Sequence, residues 1–95
     1  MAIVTAIRNR QLLSFRYGGR SRVVEPHVYG VTAKGHPALS AYQLRGGSVS
    51  GEHHGWKMFL VHEMVDVEVL TARSFSPRPD YNPEDPSFSG IYARV

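Results

Sequence analysis

Cysteine is absent from this 95-residue sequence, and its absence removes several kinds of chemistry at once. Disulfide frameworks, thiolate metal sites and cysteine nucleophiles are all excluded. A chain of this length has room for one domain with one modest hydrophobic core, and not for two. The sequence therefore predicts a single small domain whose composition is compatible with a reducing compartment.

Long hydrophobic runs are also missing. The most apolar stretches, near residues 38–44 and 58–69, are interrupted by polar side chains. Neither approaches the roughly 20 apolar residues that span a bilayer. At the N-terminus the apolar residues precede the basic ones, which is the reverse of a secretory signal. We expect a soluble cytoplasmic protein with no membrane partner.

Acidic residues are scarce in the first half of the chain. Residues 1–50 hold seven Lys and Arg against the single acid Glu25, whereas residues 51–95 hold four basic and seven acidic residues. The basic character behind the formal net charge of +3 therefore belongs to the first half. A basic half favours contact with phosphate or nucleic acid, although it fits a merely solvated face equally well.

The apolar pattern changes its period along the chain. Ile3 and Ile7 stand four residues apart and predict a short helix over residues 2–10. Alternating apolar residues then predict about five short strands. They cover residues 13–17, 22–31, 38–44, 56–64 and 65–70. Pro26 cannot donate to a sheet ladder, so it belongs at an edge or a bulge. The expected fold is mainly β: a small twisted sheet or partly closed barrel with a short N-terminal α-helix.

The C-terminal part of the chain is rich in proline, and regular structure is not expected between residues 76 and 87. The same part contains four apolar anchors, namely Tyr81, Phe88, Ile91 and Tyr92. We therefore divide the chain into a barrel with its leading helix, residues 1–72, and an extended tail, residues 73–95. We expect this tail to pack along the barrel or against a partner.

Motifs of catalysis and of metal binding are not recognisable. His62-Glu63 lacks the second histidine of a zinc-protease helix, and His53-His54 in a Gly-rich loop lacks further ligands. The Gly-rich stretch at residues 46–51 has no Gly-Lys-Ser/Thr ending and no helix after it, so it is not a nucleotide-hydrolysis loop. No spacing marks a nucleophile with its base. We expect no catalytic residues, no metal site, no cofactor and no enzymatic activity.

Cationic and aromatic residues recur on strands that are neighbours in a small barrel. Cations on phosphates combined with rings under bases are how such barrels hold single-stranded nucleic acid. The alternative is that the rings belong to the core or its rim and that the arginines are only solvated. The candidate ligand-binding residues are Arg22, His27, Tyr29, Tyr42, Arg45, Trp56 and Lys57.

Four segments of the sequence resemble the WYL domain family. These are residues 13–17 (LSFRY) before a Gly-rich turn, 22–26 (RVVEP), 39–42 (LSAY) and 56–61 (WKMFLV). The Arg-x-Val-Glu-Pro run after a Phe-x-Tyr strand is the most specific of them, and the resemblance covers roughly residues 2–70. Pro37-Ala38-Leu39 replaces the tripeptide that names the family, so that only its leucine remains.

The resemblance implies an Sm-like, SH3-like small barrel that senses a ligand, with nucleic acids or nucleotides as candidate ligands. Leu60 and His62 stand where the family often has an arginine and an aspartate, which weakens the transfer of ligand binding to this chain. WYL domains usually sit behind a DNA-reading module in bacterial transcription regulators. This sequence begins at the WYL-like helix, so we expect no such module in the chain.

Two functional hypotheses follow from these patterns. The first is a non-enzymatic regulatory module that binds nucleic acid or a phosphate-bearing ligand through a basic and aromatic barrel face. It gains support if the candidate residues converge in one concave patch, and loses support if Tyr29 and Tyr42 lie on separate faces. The second is an assembly module that forms a homo-oligomer or docks a partner protein through its strand edges and tail. Light scattering of the full chain beside a version ending at Ala72 tests this second hypothesis.

Overall fold

One helix and six strands make up residues 1–47 and 53–95, the part of the chain that the computed structural model describes. Helix α1 spans Ala2–Asn9, and a single 3-10 turn spans Val61–Glu63. The strands are β1 (Gln11–Tyr17), β2 (Arg20–Thr32), β3 (Pro37–Gly46), β4 (Gly55–Leu60), β5 (Val65–Ser74) and β6 (Phe88–Arg94).

Helix α1 forms because its apolar residues share one side. Ile3, Ala6 and Ile7 lie at helical spacing and are all buried against the sheet. The helix is capped by Arg10, whose φ of 51° is left-handed and whose backbone N–H donates to the carbonyls of Ala6 and Ile7. The chain therefore reverses direction there and enters β1 at the next residue.

The strands form one antiparallel sheet with the order β4-β3-β2-β1-β5, and β6 adds a further pairing to β2. This confirms the expected mainly β fold with a short N-terminal helix. The expected barrel, however, is not closed, because β4 and β5 end the sheet without pairing within the described residues. The domain is thus a small open sheet of six strands.

Strand β2 has different partners on its two edges. One edge pairs with β3 along most of its length, while the other pairs with β1 over Arg20–Val24 and with β6 over Val28–Thr32. Pro26 lies at the change of partner, where the register with β3 shifts between Pro26 and Val28. The predicted bulge at Pro26 is therefore present, and it gives the long strand two separately paired halves.

The C-terminal residues complete the sheet. Strand β5 continues through Ser74, past the expected boundary at residue 72, and β6 lies within the segment that the sequence marked as a tail. Phe88 is buried with Val28 and Ala38, and Tyr81 and Ile91 pack against this cluster. Three of the four tail anchors, Tyr81, Phe88 and Ile91, thus belong to a second small core beside β2.

The main core lies between α1 and one face of the sheet. It contains Ile3 and Ile7 from the helix and Phe15, Leu39 and Phe59 from the strands, all nearly or fully buried. Phe15 and Phe59 meet edge to face, with their ring centroids 4.9 Å apart. Within the described ranges no helix has the length and hydrophobicity needed to cross a membrane.

Candidate ligand-binding surface

The candidate residues lie on both faces of the sheet. We call the side against α1 the helix face and the opposite side the tail face. Tyr29 pairs with buried Leu39 and packs against the helix-face core. Tyr42 follows buried Ala41 in β3, so alternation turns it to the tail face. The two tyrosines are therefore on opposite faces, an arrangement that does not favour one shared ligand surface.

The remaining candidates divide in the same way. Lys57 pairs with Ala41 and Arg22 with Phe15, so both belong to the helix face, while Trp56 pairs with Tyr42 on the tail face. His27 contacts Trp56 and joins the tail-face group. Arg45 is exposed near the end of β3. The structure thus brings together His27, Tyr42 and Trp56 on the tail face, whereas Arg22, Tyr29 and Lys57 belong to the helix face.

Arg22 is buried, at 4% exposure, against rings of the helix face. Its guanidinium carbon lies 5.7 Å from the ring centroids of both Tyr17 and Phe59. One terminal nitrogen donates to Gln43 Oε1 at 3.1 Å, and the other donates to the Tyr17 carbonyl at 3.0 Å. The remaining nitrogen, Nε, is buried and has no hydrogen-bond partner among the described residues.

Arg22 belongs to a basic end of the sheet, which we define as Arg20, Arg22 and Arg45. Burial lowers the pKa of Arg22, and the positive charge of nearby Arg20 lowers this pKa further. Arg45 lies opposite Val23, the next residue along β2. Arg20 and Arg45 are exposed, and because Arg45 shares the face of Val23, the two lie on opposite faces of the sheet at this end. Such a cluster attracts anions.

The tail face carries an aromatic cluster around His27. The ring centroid of His27 lies 4.7 Å from that of Trp56 and 5.1 Å from those of Phe75 and Tyr81. Trp56 also meets Tyr42 edge to face at 5.7 Å. His27 is fully buried, because residues from the β5–β6 connection lie over it.

Charged residues of the same connection bind this face directly. The Arg78 side chain donates to both carboxylate oxygens of Glu25, at 2.7 and 3.3 Å. Its guanidinium carbon also lies 3.8 Å from the centroid of the Tyr42 ring. Trp56 Nε1 donates to Asp80 Oδ2 at 2.9 Å. A guanidinium of this chain therefore already occupies the position over Tyr42.

The hydrogen bonds of His27 define its tautomer. Nδ1 lies 2.8 Å from the Glu25 carbonyl, which only accepts, so Nδ1 carries the proton. Nε2 then accepts from the backbone N–H of Arg78 at 3.2 Å. Burial lowers the pKa of His27, against smaller raising contributions from the Glu25 carbonyl and carboxylate. The ring is thus held neutral, and protonation at Nε2 removes its acceptor for Arg78.

Several residues of this surface were not among the sequence candidates. Arg78 and Asp80 lie in the Pro-rich segment, where no local pattern indicates contact with β2 or β4. Glu25 was noted as the single acid of the basic half and as part of the WYL-like run at residues 22–26, without a binding role, and Gln43 was not singled out. Tyr81 was recognised as an apolar anchor, and it packs beside His27. The missed residues are those whose partners lie far away in the sequence.

The described side chains do not form a cluster of metal ligands. Over residues 1–47 and 53–95 no three histidines or carboxylates come together in a way that fits a metal ion. His36 and His62 approach each other, with ring centroids 6.3 Å apart, but they are only two. Residues 48–52 of the Gly-rich loop lie outside the described part of the chain. The described groups are suited to stacking, hydrogen bonding and ion pairing.

Comparison with solved structures supports a WYL-like fold for this small β-domain. The match is proteasome accessory factor B/C (PafBC) of Arthrobacter aurescens, with a TM-score of 0.66 and 25% sequence identity. The alignment covers 85% of this chain and 13% of the PafBC chain, so the chain spans a small part of PafBC. The sequence matches no protein-family model and no curated protein.

Proposed function

We propose that this chain is a regulatory ligand-binding module of WYL type that acts without catalysis. The proposal is supported by the similarity to PafBC, which includes most of this chain. It is supported also by the sequence, in which no nucleophile and base stand at a recognisable spacing. The described side chains suit hydrogen bonding, ion pairing and stacking, which are the interactions of a binding site, and we expect a sensor of this kind to transmit its signal through association.

The proposed ligand carries phosphate, as single-stranded nucleic acid or as a nucleotide. The observation that carries this proposal is the basic end, where Arg20 and Arg45 are exposed on opposite faces of the sheet and Arg22 is buried between the strands' ends. The stem of Arg20 lies against the backbone of Gly47, so its position is restricted. Two exposed guanidinium groups at one end of the sheet, one on each face, are able to contact the phosphates of a strand that passes over this end. Buried Arg22 does not reach the ligand in this proposal. It positions its neighbours by donating hydrogen bonds to Gln43 Oε1 and to the Tyr17 carbonyl.

Fluorescence anisotropy with short single-stranded DNA and RNA tests the proposal. Affinity falls as salt rises, because binding releases counterions from the phosphates. Arg20→Gln and Arg45→Gln each weaken binding at low salt by about threefold to tenfold. Each also reduces the slope of log K against log salt by about 0.7, the value for one contact on a single strand.

Lys34→Gln is the matched control. Lys34 is exposed in the turn between β2 and β3, at the far end of the same hairpin from the basic end. Its removal changes the net charge by the same amount and leaves affinity within about a factor of two of the unaltered protein. No binding at low salt, or equal weakening by all three substitutions, would contradict a phosphate site at the basic end.

A further inference from the structure

A cavity of about 270 Å³ lies between the tail face and the β5–β6 connection. Its lining includes Val28 from β2 and Trp56 from β4, together with Asp80, Tyr81 and Asp85 from the connection. The volume is below the range of drug-sized pockets, which begins at roughly 300 Å³. The cavity is therefore sized for a head group or a single side chain.

The charged residues that line the cavity all have one sign, while the positive charges of Arg78 and Arg94 act on Asp80 and Tyr81 from outside the lining. Asp80 and Asp85 contribute carboxylates, and no Lys or Arg is among the described residues that line it. Trp56 and Tyr81 contribute aromatic rings, whose faces attract cations. A metal ion is not favoured, because the described residues provide no group of three ligands. Carboxylates combined with rings favour an organic cation over an anion or a metal.

The lining groups are held in place by contacts of their own. Asp80 Oδ2 accepts from Trp56 Nε1 at 2.9 Å, and Asp85 Oδ1 accepts from the backbone N–H of Ser87, also at 2.9 Å. The Tyr81 hydroxyl donates to the Val95 carbonyl at 3.2 Å. Side chains fixed in this way bind a ligand with little ordering cost.

The same face already binds one guanidinium through the same pair of groups. Arg78 lies over the ring of Tyr42 and donates to the Glu25 carboxylate. Tyr42 is in contact with Trp56, so the two ring sites are neighbours. Trp56 and Asp80 therefore provide a second pair of a ring and a carboxylate next to the pair of Tyr42 and Glu25, which binds the guanidinium of Arg78.

We propose that this cavity binds an organic cation, a guanidinium or primary ammonium group, through the carboxylates of Asp80 and Asp85 and the rings of Trp56 and Tyr81. The site goes beyond the proposed phosphate ligand. It lies near the pair of Val28 and Ser40, toward the other end of the β2–β3 hairpin from the basic end.

Trp56 is the only tryptophan of the chain and supplies a direct readout. The ¹⁵N-labelled full chain is titrated with agmatine and, separately, with a blocked Gly-Arg-Gly peptide, and the single indole N–H resonance is followed. Saturable shifts with both probes assign the site to small cations in general. A shift with the peptide alone assigns it to an arginine side chain of a partner. The peptide with citrulline in place of arginine is uncharged and produces no shift.

Conservative substitutions identify the carboxylates. Asp85→Asn keeps an acceptor for Ser87, Asp80→Asn keeps one for Trp56, and each weakens binding of the cationic probe about fivefold. Glu84→Gln is the control, because exposed Glu84 is next to Asp85 but does not line the cavity. No saturable shift with either cation, or equal weakening by all three substitutions, overturns the site. The oligonucleotide experiment tests Arg20 and Arg45 and not the cavity, so the proposed phosphate site and the proposed cation site can fail separately.

Discussion

At the scale of single residues, Arg78 connects three groups of the tail face. Its backbone N–H bonds to His27, and its guanidinium binds Glu25 and stacks on Tyr42. Tyr42 was recognisable as a candidate because it is an aromatic residue on one of the neighbouring strands along which cationic and aromatic side chains recur. Arg78 was not recognisable, because it stands between two prolines and its partner Glu25 is 53 residues away. Local patterns identify residue types and leave distant partners undetermined.

His27 makes the stability of the protein depend on pH. Its pKa in the folded state is lowered, chiefly by burial, while in the unfolded chain it is about 6.5. Above that value both states are neutral, and the folded state has its full stability. As the pH falls below about 6.5, the unfolded state takes up a proton that the folded state does not, so the free energy of unfolding decreases. The slope for this one group is at most about 1.4 kcal/mol per pH unit.

Urea unfolding between pH 7.5 and 5.5 measures this decrease. His27→Gln removes the titration, and we expect its free energy of unfolding to change less with pH, whatever its stability at pH 7.5. His36→Gln is the control, since His36 is exposed and its substitution leaves the pH dependence in place. A His27→Gln protein with the pH dependence of the unaltered chain would show that other groups are responsible.

At the scale of elements, the helix and the first five strands were predictable because each has its own apolar period. The bulge at Pro26 was predictable too, since proline has no N–H to donate. The open sheet was not, because closure depends on whether β4 and β5 meet, and no local pattern reports that. Strand β6 depends on the second half of β2, about 60 residues earlier, for its pairing.

Strands β2 and β6 approach each other closely at Gly30. A Cβ on Gly30 would overlap the carbonyl oxygen of Gly90, and it would come within 2.9 Å of a Phe88 ring carbon. The backbone has little freedom to move, so we expect Gly30→Ala to lower the free energy of unfolding by about 2 to 3 kcal/mol. Gly90→Ala is the matched control, because its Cβ meets only a methyl of Val31 at 3.2 Å. Chemical denaturation measures the free energy of unfolding of both variants. A loss for Gly90→Ala equal to or larger than that for Gly30→Ala would contradict the close approach at Gly30.

At the scale of the whole molecule, the C-terminal strand belongs to the folding unit. A chain ending at Ser74 lacks β6, the cover over His27 and the Phe88 cluster. We expect this chain to lose cooperative thermal unfolding, as followed by circular dichroism, since Val28 and Ala38 lose their partners. A cooperative transition in the shortened chain would support residues 1–72 as a separate barrel.

Because folding is expected to need β6, a shortened chain is not a clean test of the assembly hypothesis. Of the tail anchors, Phe88 is buried and Tyr81 is half-buried, whereas Tyr92 is 59% exposed beside Tyr29. A shortened chain exposes core as well as removing Tyr92, so its light scattering reports unfolding together with assembly. Tyr92→Ser in the full chain separates the two effects. A monomer both with and without this substitution would count against a homo-oligomer built on the tail.

The two halves of β2 gain their sheet neighbours at different times during synthesis. Residues 11–46 contain everything that the first half of β2 needs for its sheet neighbours, whereas the second half lacks one neighbour until Phe88–Arg94 has been made. During that interval the backbone N–H and C=O groups of Val28–Thr32 form an open strand edge. Such an edge is a template for pairing with another chain. Until β6 has been made, the growing polypeptide therefore has an uncovered edge along β2 at which misassembly can begin.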